Sequence, residues 1–163
     1  LFVEWMMGDC VEICQVEKNG WKASGKGEIW VDSAAEESVC PEKWMEEFGT
    51  SPIAPGKEMK FRNASGGPMK HMGARAVTFT APASKNESVM GMEFQVSEVR
   101  KPLAAVWRIA DKGNIVQFGP TDKECFIQNI KSGEKVGMRK KGGSYVIDVE
   151  YLTKIDSTFQ RPV

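Results

Sequence analysis

Turn-forming residues recur so often along this 163-residue chain that few of the segments between them are long enough for an α-helix. There are 16 Gly and 8 Pro, and between them lie short runs rich in Val, Ile, Phe, Met and Tyr. Runs of this kind, bounded by Gly, Pro, Asn or Ser, are typical of β-strands. The predicted strands cover residues 27–31, 59–62, 69–72, 76–80, 91–96, 114–118, 125–130, 135–139 and 144–152. The final one alternates apolar and polar side chains, as a half-buried strand does.

Two short helices interrupt this pattern. The first is predicted over residues 41–48, with Pro41 at its start and Gly49 at its end. The second follows Pro102 and ends at Gly113, and its apolar face has i, i+3, i+4, i+7 spacing. That face consists of Leu103, Val106, Trp107 and Ala110. Many short strands, one or two short helices and Gly-rich turns predict a mainly β fold, a closed β-barrel or sandwich.

The length predicts one domain with loose ends. We expect the domain to span residues 21–152, because the β-prone runs and their turns lie there. Residues 1–20 carry apolar side chains without clean periodicity and are interpreted as an N-terminal tail or upstream linker. Residues 153–163 are interpreted as a C-terminal linker. The chain begins at Leu1 and has no basic leader, so we interpret it as a segment of a longer open reading frame.

Charge and hydropathy argue against two classes of partner. Lys plus Arg and Asp plus Glu are both 22, whereas nucleic-acid-binding domains usually carry a basic excess. No apolar run approaches the roughly 18 residues of a membrane-spanning helix. We therefore expect neither direct binding to nucleic acid nor association with a membrane.

The four cysteines do not form a recognisable metal site. Cys10 and Cys14 have C-x3-C spacing, but no second ligand pair follows, and Cys40 and Cys125 stand alone. We expect free thiols in a reducing compartment, with no metal and no cofactor. The one histidine, His71, lies in a polar segment and is expected at the surface.

Among the carboxylates, Asp32 has an unusual setting. It ends a hydrophobic run and is followed by Ser33 and two alanines. A carboxylate at the edge of a core can be tuned for proton transfer, and small neighbours allow backbone to approach it closely. The alternative is that Asp32 caps a turn through its own side chain. The local sequence leaves both interpretations open.

Several motifs in order resemble the retropepsin-like aspartic protease of Copia-type retrotransposon polyproteins. Val31-Asp32-Ser33-Ala34-Ala35 resembles the D-[ST]-G-A box of retropepsins. Residues 94–106 resemble the Copia-type stretch V-x-x-V-P-x-L-x-x-N-L-L-S-V, and residues 112–118 resemble its x-x-G-x-x-V-x-F continuation. Residues 131–134 and 143–148 resemble the K-T-G turn and the G-x-Y-x-L-D ending. The resemblance covers about residues 27–151.

The resemblance implies an intracellular, cytoplasmic polyprotein-processing endopeptidase that works as a homodimer on an extended peptide or polyprotein substrate. Retropepsins supply one Asp per subunit, and the two carboxylates share a proton. Asp32 would be the catalytic residue, Ser33 would tie the two active-site loops together, and Ala34 and Ala35 would support the loop. A hairpin would form the flap that closes over the substrate. Its implied substrate-binding residues are Asn63, Ala64, Ser65, Gly66 and Gly67.

One position departs from the family pattern, since Ala34 stands where the family has Gly. A Cβ there could crowd the carboxylate pair, so a second hypothesis is an inactive protease-like module that dimerises or binds peptides. A third is an unrelated β-barrel binding domain with Trp21, Trp30 and Trp107 lining a pocket. Asp156-Ser157 is the one other Asp-Ser step, and we do not interpret it as a second catalytic box because no chain follows it to build a lobe.

Overall fold

The computed structural model describes residues 20–82 and 88–155, and most of its regular structure is β-strand. This confirms the mainly β prediction. The first six strands are β1 Trp21–Asp32, β2 Val39–Pro41, β3 Phe61–Arg62, β4 Pro68–Met69, β5 His71–Thr80 and β6 Met90–Ser97. The next six are β7 Leu103–Ala105, β8 Asn114–Gln117, β9 Phe126–Asn129, β10 Lys135–Gly137, β11 Arg139–Lys141 and β12 Ser144–Lys154. The helix α1 spans Val106–Asp111, and 3-10 turns lie at Glu46–Phe48 and Asp122–Glu124.

Six strands close into a barrel. The main sheet has the order β1-β7-β2-β6-β5-β12-β11, and β12 also pairs with β1, so the first six strands of this order form a ring. β1 runs antiparallel to β12 from Trp21 opposite Lys154 to Val31 opposite Tyr145. On its other edge β1 runs parallel to β7. A closed ring leaves few backbone edges unpaired, which confirms the predicted closed β architecture.

The alternation predicted in the last strand is confirmed from Ile147 to Tyr151 of β12, whereas Val146, predicted on the same face as Asp148, is also buried. Ile147, Val149 and Tyr151 are buried, whereas Asp148 between them is exposed. Trp44 packs against this part of the core, and the centre of its ring lies 5.1 Å from that of Phe94 and 5.7 Å from that of Tyr151, both in edge-to-face geometry. A three-stranded sheet in the order β10-β9-β8 adds Ile127 and Val136 to the same core.

The helix predicted over residues 41–48 is wrong. Pro41 belongs to β2, and the segment contains one 3-10 turn at Glu46–Phe48. The reason is Arg75 on β5, which is 3% exposed. Its guanidinium donates to the carbonyls of Pro41 at 3.2 Å, Glu42 at 3.1 Å, Trp44 and Gly49 at 2.8 Å, and to Thr50 Oγ1 at 2.6 Å. Carbonyls turned toward Arg75 cannot accept the i to i+4 bonds of an α-helix.

The predicted start of the second helix is also wrong. Residues 103–105 form β7, and α1 begins at Val106. Ile109 is the buried side chain of α1, whereas Trp107 is 46% exposed. Strand pairing with β1 and β2 outweighs a helical spacing that extended only a few residues.

The predicted domain limits fall close to the ends of the barrel, with β1 starting at Trp21 and β12 ending at Lys154. Residues 1–19 and 156–163 lie outside the described residues, as do the Cys10–Cys14 pair and the Asp156-Ser157 step. In the part of the chain that the structure describes, no helix has the length and apolar character required to span a membrane.

A charged cluster joins β1, β11 and β12 on the barrel surface. Glu28 lies directly opposite Asp148, which would be repulsive if nothing stood between them. Arg139 donates to both Asp148 carboxylate oxygens, at 3.0 and 2.9 Å, and to Glu28. Lys141 donates to the second Glu28 oxygen at 2.5 Å. Hydrogen bonding to Lys141 and Arg139 lowers the pKa of Glu28, and hydrogen bonding to Arg139 lowers the pKa of Asp148.

Replacing Arg75 by Met should destabilise the fold strongly. The substitution leaves four backbone carbonyls of residues 41–49 without their donor, and one buried acceptor left unsatisfied already costs about 1–3 kcal/mol. Arg75→Lys should recover only part of this free energy of unfolding, because an ammonium has fewer donors than a guanidinium fork. Urea unfolding followed by Trp fluorescence measures both. Parent-like stability of Arg75→Met would contradict the role given to Arg75.

Arg139→Met should lower the free energy of unfolding at pH 7, and this deficit should shrink in acid. Glu28 and Asp148 have folded pKa values below their ordinary 4.5 and 3.8. Their contribution is therefore complete above the ordinary values and is lost as the pH falls through the folded ones. Urea unfolding between pH 7 and pH 3 tests this, with the exposed Arg100→Met as the control. A deficit that stays constant with pH would refute the assignment.

Candidate functional site

Asp32 ends β1 at the point where β7 lies alongside it. Asp32 is the register partner of Ala105 in the parallel β1–β7 pair. Its Oδ1 accepts the N–H of Ala34 at 2.8 Å, so the carboxylate closes the turn that follows the strand. Within the described residues Asp32 makes no further hydrogen bond and no ion pair, and its side chain is partly exposed. Asp32 therefore caps the turn through one carboxylate oxygen, and the other oxygen has no hydrogen-bond partner among the described residues.

A groove of about 850 Å³ separates the Asp32 turn from the β3–β4 hairpin. We call it the hairpin groove. The Asp32 turn contributes Asp32, Ala34 and Ala35 to its lining. The two arms of the hairpin contribute Phe61, Arg62 and Met69, and the segment before the hairpin contributes Met59 and Lys60. The sequence placed the turn and the hairpin in separate segments, and the fold brings them to one groove.

The tip of this hairpin is a tight turn built on Asn63. Asn63 Oδ1 accepts the N–H of Ser65 at 3.0 Å and of Gly67 at 2.8 Å, and Arg62 donates to the Gly66 carbonyl at 2.9 Å. Gly66 has φ +85°, a conformation that favours glycine. The predicted turn is confirmed.

The five residues singled out as the flap, Asn63, Ala64, Ser65, Gly66 and Gly67, form this tip and do not line the hairpin groove. The lining residues Phe61, Arg62 and Met69 were not among the candidates. The arms flanking a Gly-rich turn are the positions that would have indicated them.

Helix α1 holds the chain that follows Asp32. Trp107 Nε1 donates to the Glu36 carbonyl, and one guanidinium nitrogen of Arg108 donates to both carboxylate oxygens of Glu37, at 2.8 and 2.6 Å. The Arg108 guanidinium also stacks on the Trp107 ring at 4.4 Å. Ser38 is buried, and its Oγ accepts the N–H of Ala105 at 2.9 Å. These contacts fix residues 36–38, and with them the far end of the Asp32 turn.

A second groove, of about 480 Å³, lies on the Ser33 side of Asp32. We call it the aromatic groove, because Trp30, Phe118 and Tyr145 line it. The Phe118 and Tyr145 rings pack at 4.5 Å, and the Lys101 ammonium lies 4.5 Å from the centre of the Trp30 ring. Of the three Trp residues suggested to line one pocket, Trp30 lines this groove, Trp21 lines a different one and Trp107 supports the loop after Asp32. The structure does not bring them together.

His71 is buried, so the expectation of a surface histidine is wrong. Its Nδ1 accepts the N–H of Met59 at 3.0 Å, and Nε2 is 2.8 Å from Gln95 Oε1. With Nδ1 accepting, the proton is on Nε2, which donates to Gln95. Phe61 packs edge-on against the ring at 5.5 Å. His71 thus anchors the segment that enters the hairpin, a role that the polar sequence around it did not indicate.

The described part of the chain contains no group of three His, Cys, Asp or Glu side chains that could hold a metal ion. Cys40 and Cys125 are free and buried. Burial raises the pKa of the Cys40 thiol to about 11, so this thiol is protonated and unreactive at neutral pH.

Comparison with known proteins gives no match. No family model matches the chain, and no curated protein or solved structure is significantly similar to it.

Removing the Ser38 hydroxyl should loosen the link between α1 and the Asp32 turn. Ser38→Ala leaves the buried Ala105 N–H without its acceptor, which costs about 1–3 kcal/mol. Ser33→Ala, at an exposed position in the same turn, should change stability by less than about 0.5 kcal/mol. Urea unfolding measures both, and hydrogen exchange should show faster exchange at Ala105 in Ser38→Ala alone. Equal effects of the two substitutions would exclude this role for Ser38.

Proposed function

We propose that this chain is an aspartic endopeptidase whose carboxylate pair is completed by a second copy of the chain. The observation that carries the proposal is the position of Asp32. A partly exposed carboxylate ends a barrel strand in a groove that is also lined by a β-hairpin. The ordered resemblance to Copia-type retropepsins supports the same activity.

The hairpin groove suits an extended peptide. β3 and β4 form a separate two-stranded sheet, so each has an outer edge that pairs with no strand of the described chain. Such edges bind extended peptides by adding a strand through backbone hydrogen bonds. Phe61 and Met69 supply apolar surface for the side chains of that peptide.

The chemistry requires a second carboxylate beside Asp32. Within the described residues none is hydrogen-bonded to it. Glu36 and Glu37 line the same groove, and Glu37 is already paired with Arg108. A two-fold dimer would place the partner's copy of the same carboxylate there, and two such groups share one proton. The ionised one takes a proton from water, and the resulting hydroxide attacks the scissile carbonyl carbon. The protonated one donates to the carbonyl oxygen. Collapse of the tetrahedral intermediate breaks the C–N bond as its nitrogen gains a proton.

A second candidate function is an inactive dimerisation or peptide-binding module. It is favoured by Ala34, which lines the hairpin groove next to Asp32 where the retropepsin pattern has Gly. The Ala34 N–H also occupies Asp32 Oδ1. A methyl group that displaces a reacting group by about 1 Å can reduce the rate on the order of a hundredfold. Such a module would still bind peptides in the hairpin groove but would not hydrolyse them.

Peptide-library cleavage read by mass spectrometry between pH 4 and pH 7 separates the two functions. We expect the parent chain to cleave and Asp32→Asn to be inert, because the amide cannot accept the water proton but still accepts the Ala34 hydrogen bond. Cleavage by Ala34→Gly alone would establish the inactive module in an intact scaffold. The proposal would be contradicted if the parent chain, Asp32→Asn and Ala34→Gly were all folded and monomeric and none of them cleaved a peptide. Sedimentation velocity at the assay concentration provides the oligomeric state.

A further inference from the structure

The aromatic groove contains a cation that no carboxylate of the described chain neutralises. Two lysines approach the Trp30 ring, Lys141 at 5.4 Å and Lys101 at 4.5 Å from its centre. Lys141 is bonded to Glu28 at 2.5 Å. Lys101 is exposed and makes no ion pair within residues 20–82 and 88–155. The two lysines therefore differ in whether their charge is available to a ligand.

The backbone beside Lys101 is held in a fixed position relative to Trp30. The Trp30 N–H donates to the Pro102 carbonyl at 3.1 Å, and Trp30 is the register partner of Leu103. Pro102 itself is buried. The ammonium thus projects from an anchored segment onto an aromatic wall, and less conformational entropy is lost when a ligand engages it.

We infer that the aromatic groove binds an extended peptide by an acidic side chain, with Lys101 as the residue that selects it. This deepens the proposed function, because it names the class of peptide that would approach Asp32. A carboxylate on the peptide would pair with Lys101 at the edge of the groove. Asp32 lies in the same groove and repels a carboxylate close to it, so the acidic side chain belongs at the Lys101 end. The neighbouring peptide residue would pack on Phe118 and Tyr145.

Binding selection from a randomised decapeptide library tests this inference without requiring catalysis. The full 163-residue chain carrying Asp32→Asn is the background, since it retains the turn and is expected not to cleave the probe. Bound peptides are recovered by size exclusion and sequenced by mass spectrometry. We expect Asp and Glu to be enriched about fivefold over Lys and Arg at one position, the upper end for a partly exposed ion pair. Lys101→Glu should reverse this preference.

Lys112→Glu is the matched control, because it makes the same change of charge at an exposed lysine that lines neither Asp32 groove. It should leave the acidic preference intact. A library without acidic enrichment, or an enrichment unchanged by Lys101→Glu, overturns the inference. Binding that falls as the protein concentration rises also overturns it, since a second copy would then occupy the groove. If acidic peptides are enriched in the binding selection but the parent chain cleaves no peptide, the proposed endopeptidase activity is refuted and the inferred binding preference stands.

Discussion

The pairing of β1 on both of its edges is the constraint on which the rest of this structure depends. One edge is bonded to β12 along most of its length, and the other meets β7 at its final three residues. The sheet closes into a ring because β1, the first strand in the sheet order, pairs with β12 as well as with β7, and Asp32 is the residue at which the β7 pairing ends. The position of the carboxylate is thus a consequence of barrel closure.

The two grooves share this dependence. Asp32 and Leu103 line both, and both belong to the short parallel pair of β1 and β7. The helix that continues from β7 then returns to hold residues 36–38 through Trp107, Arg108 and the Ala105 amide. The continuous segment of β7 and α1 therefore contributes Leu103 to the lining of both grooves and restrains residues 36–38. Arg75 restrains residues 41–50 in a similar way, through hydrogen bonds from its buried guanidinium and not through strand pairing.

The elements that could be predicted from the sequence are those specified locally. The Asn63 turn, the strands β6 and β12 and the alternation from Ile147 to Tyr151 depend on residues close together in the chain, and they were predicted correctly. Of β1 only residues 27–31 were predicted, and β5 was predicted as two separate strands. The helix over residues 41–48 failed because its carbonyls are bound by Arg75, some 30 residues away in sequence. The β7 segment failed because its partner β1 lies far upstream, and three residues contain too little pattern to reveal it. His71 appeared polar and exposed, since Gln95 and the Met59 amide become its neighbours only on folding.

Because the first and last strands close the ring, the barrel can fold only after both strands have been synthesised. Glu28 on β1 and Asp148 on β12 face each other across this seam, and Arg139 on β11, which binds both, is 111 residues from Glu28. On a ribosome, β1 emerges before β12 and has to wait until residues 33–143 have been synthesised before β12 can pair with it. Long-range pairing of this kind slows folding and leaves intermediate strands with open edges. A chain truncated before residue 144 lacks β12 altogether, so we expect it to remain unfolded or to be captured by chaperones. Assembly of the Asp32 region is thereby delayed until translation of the domain is complete.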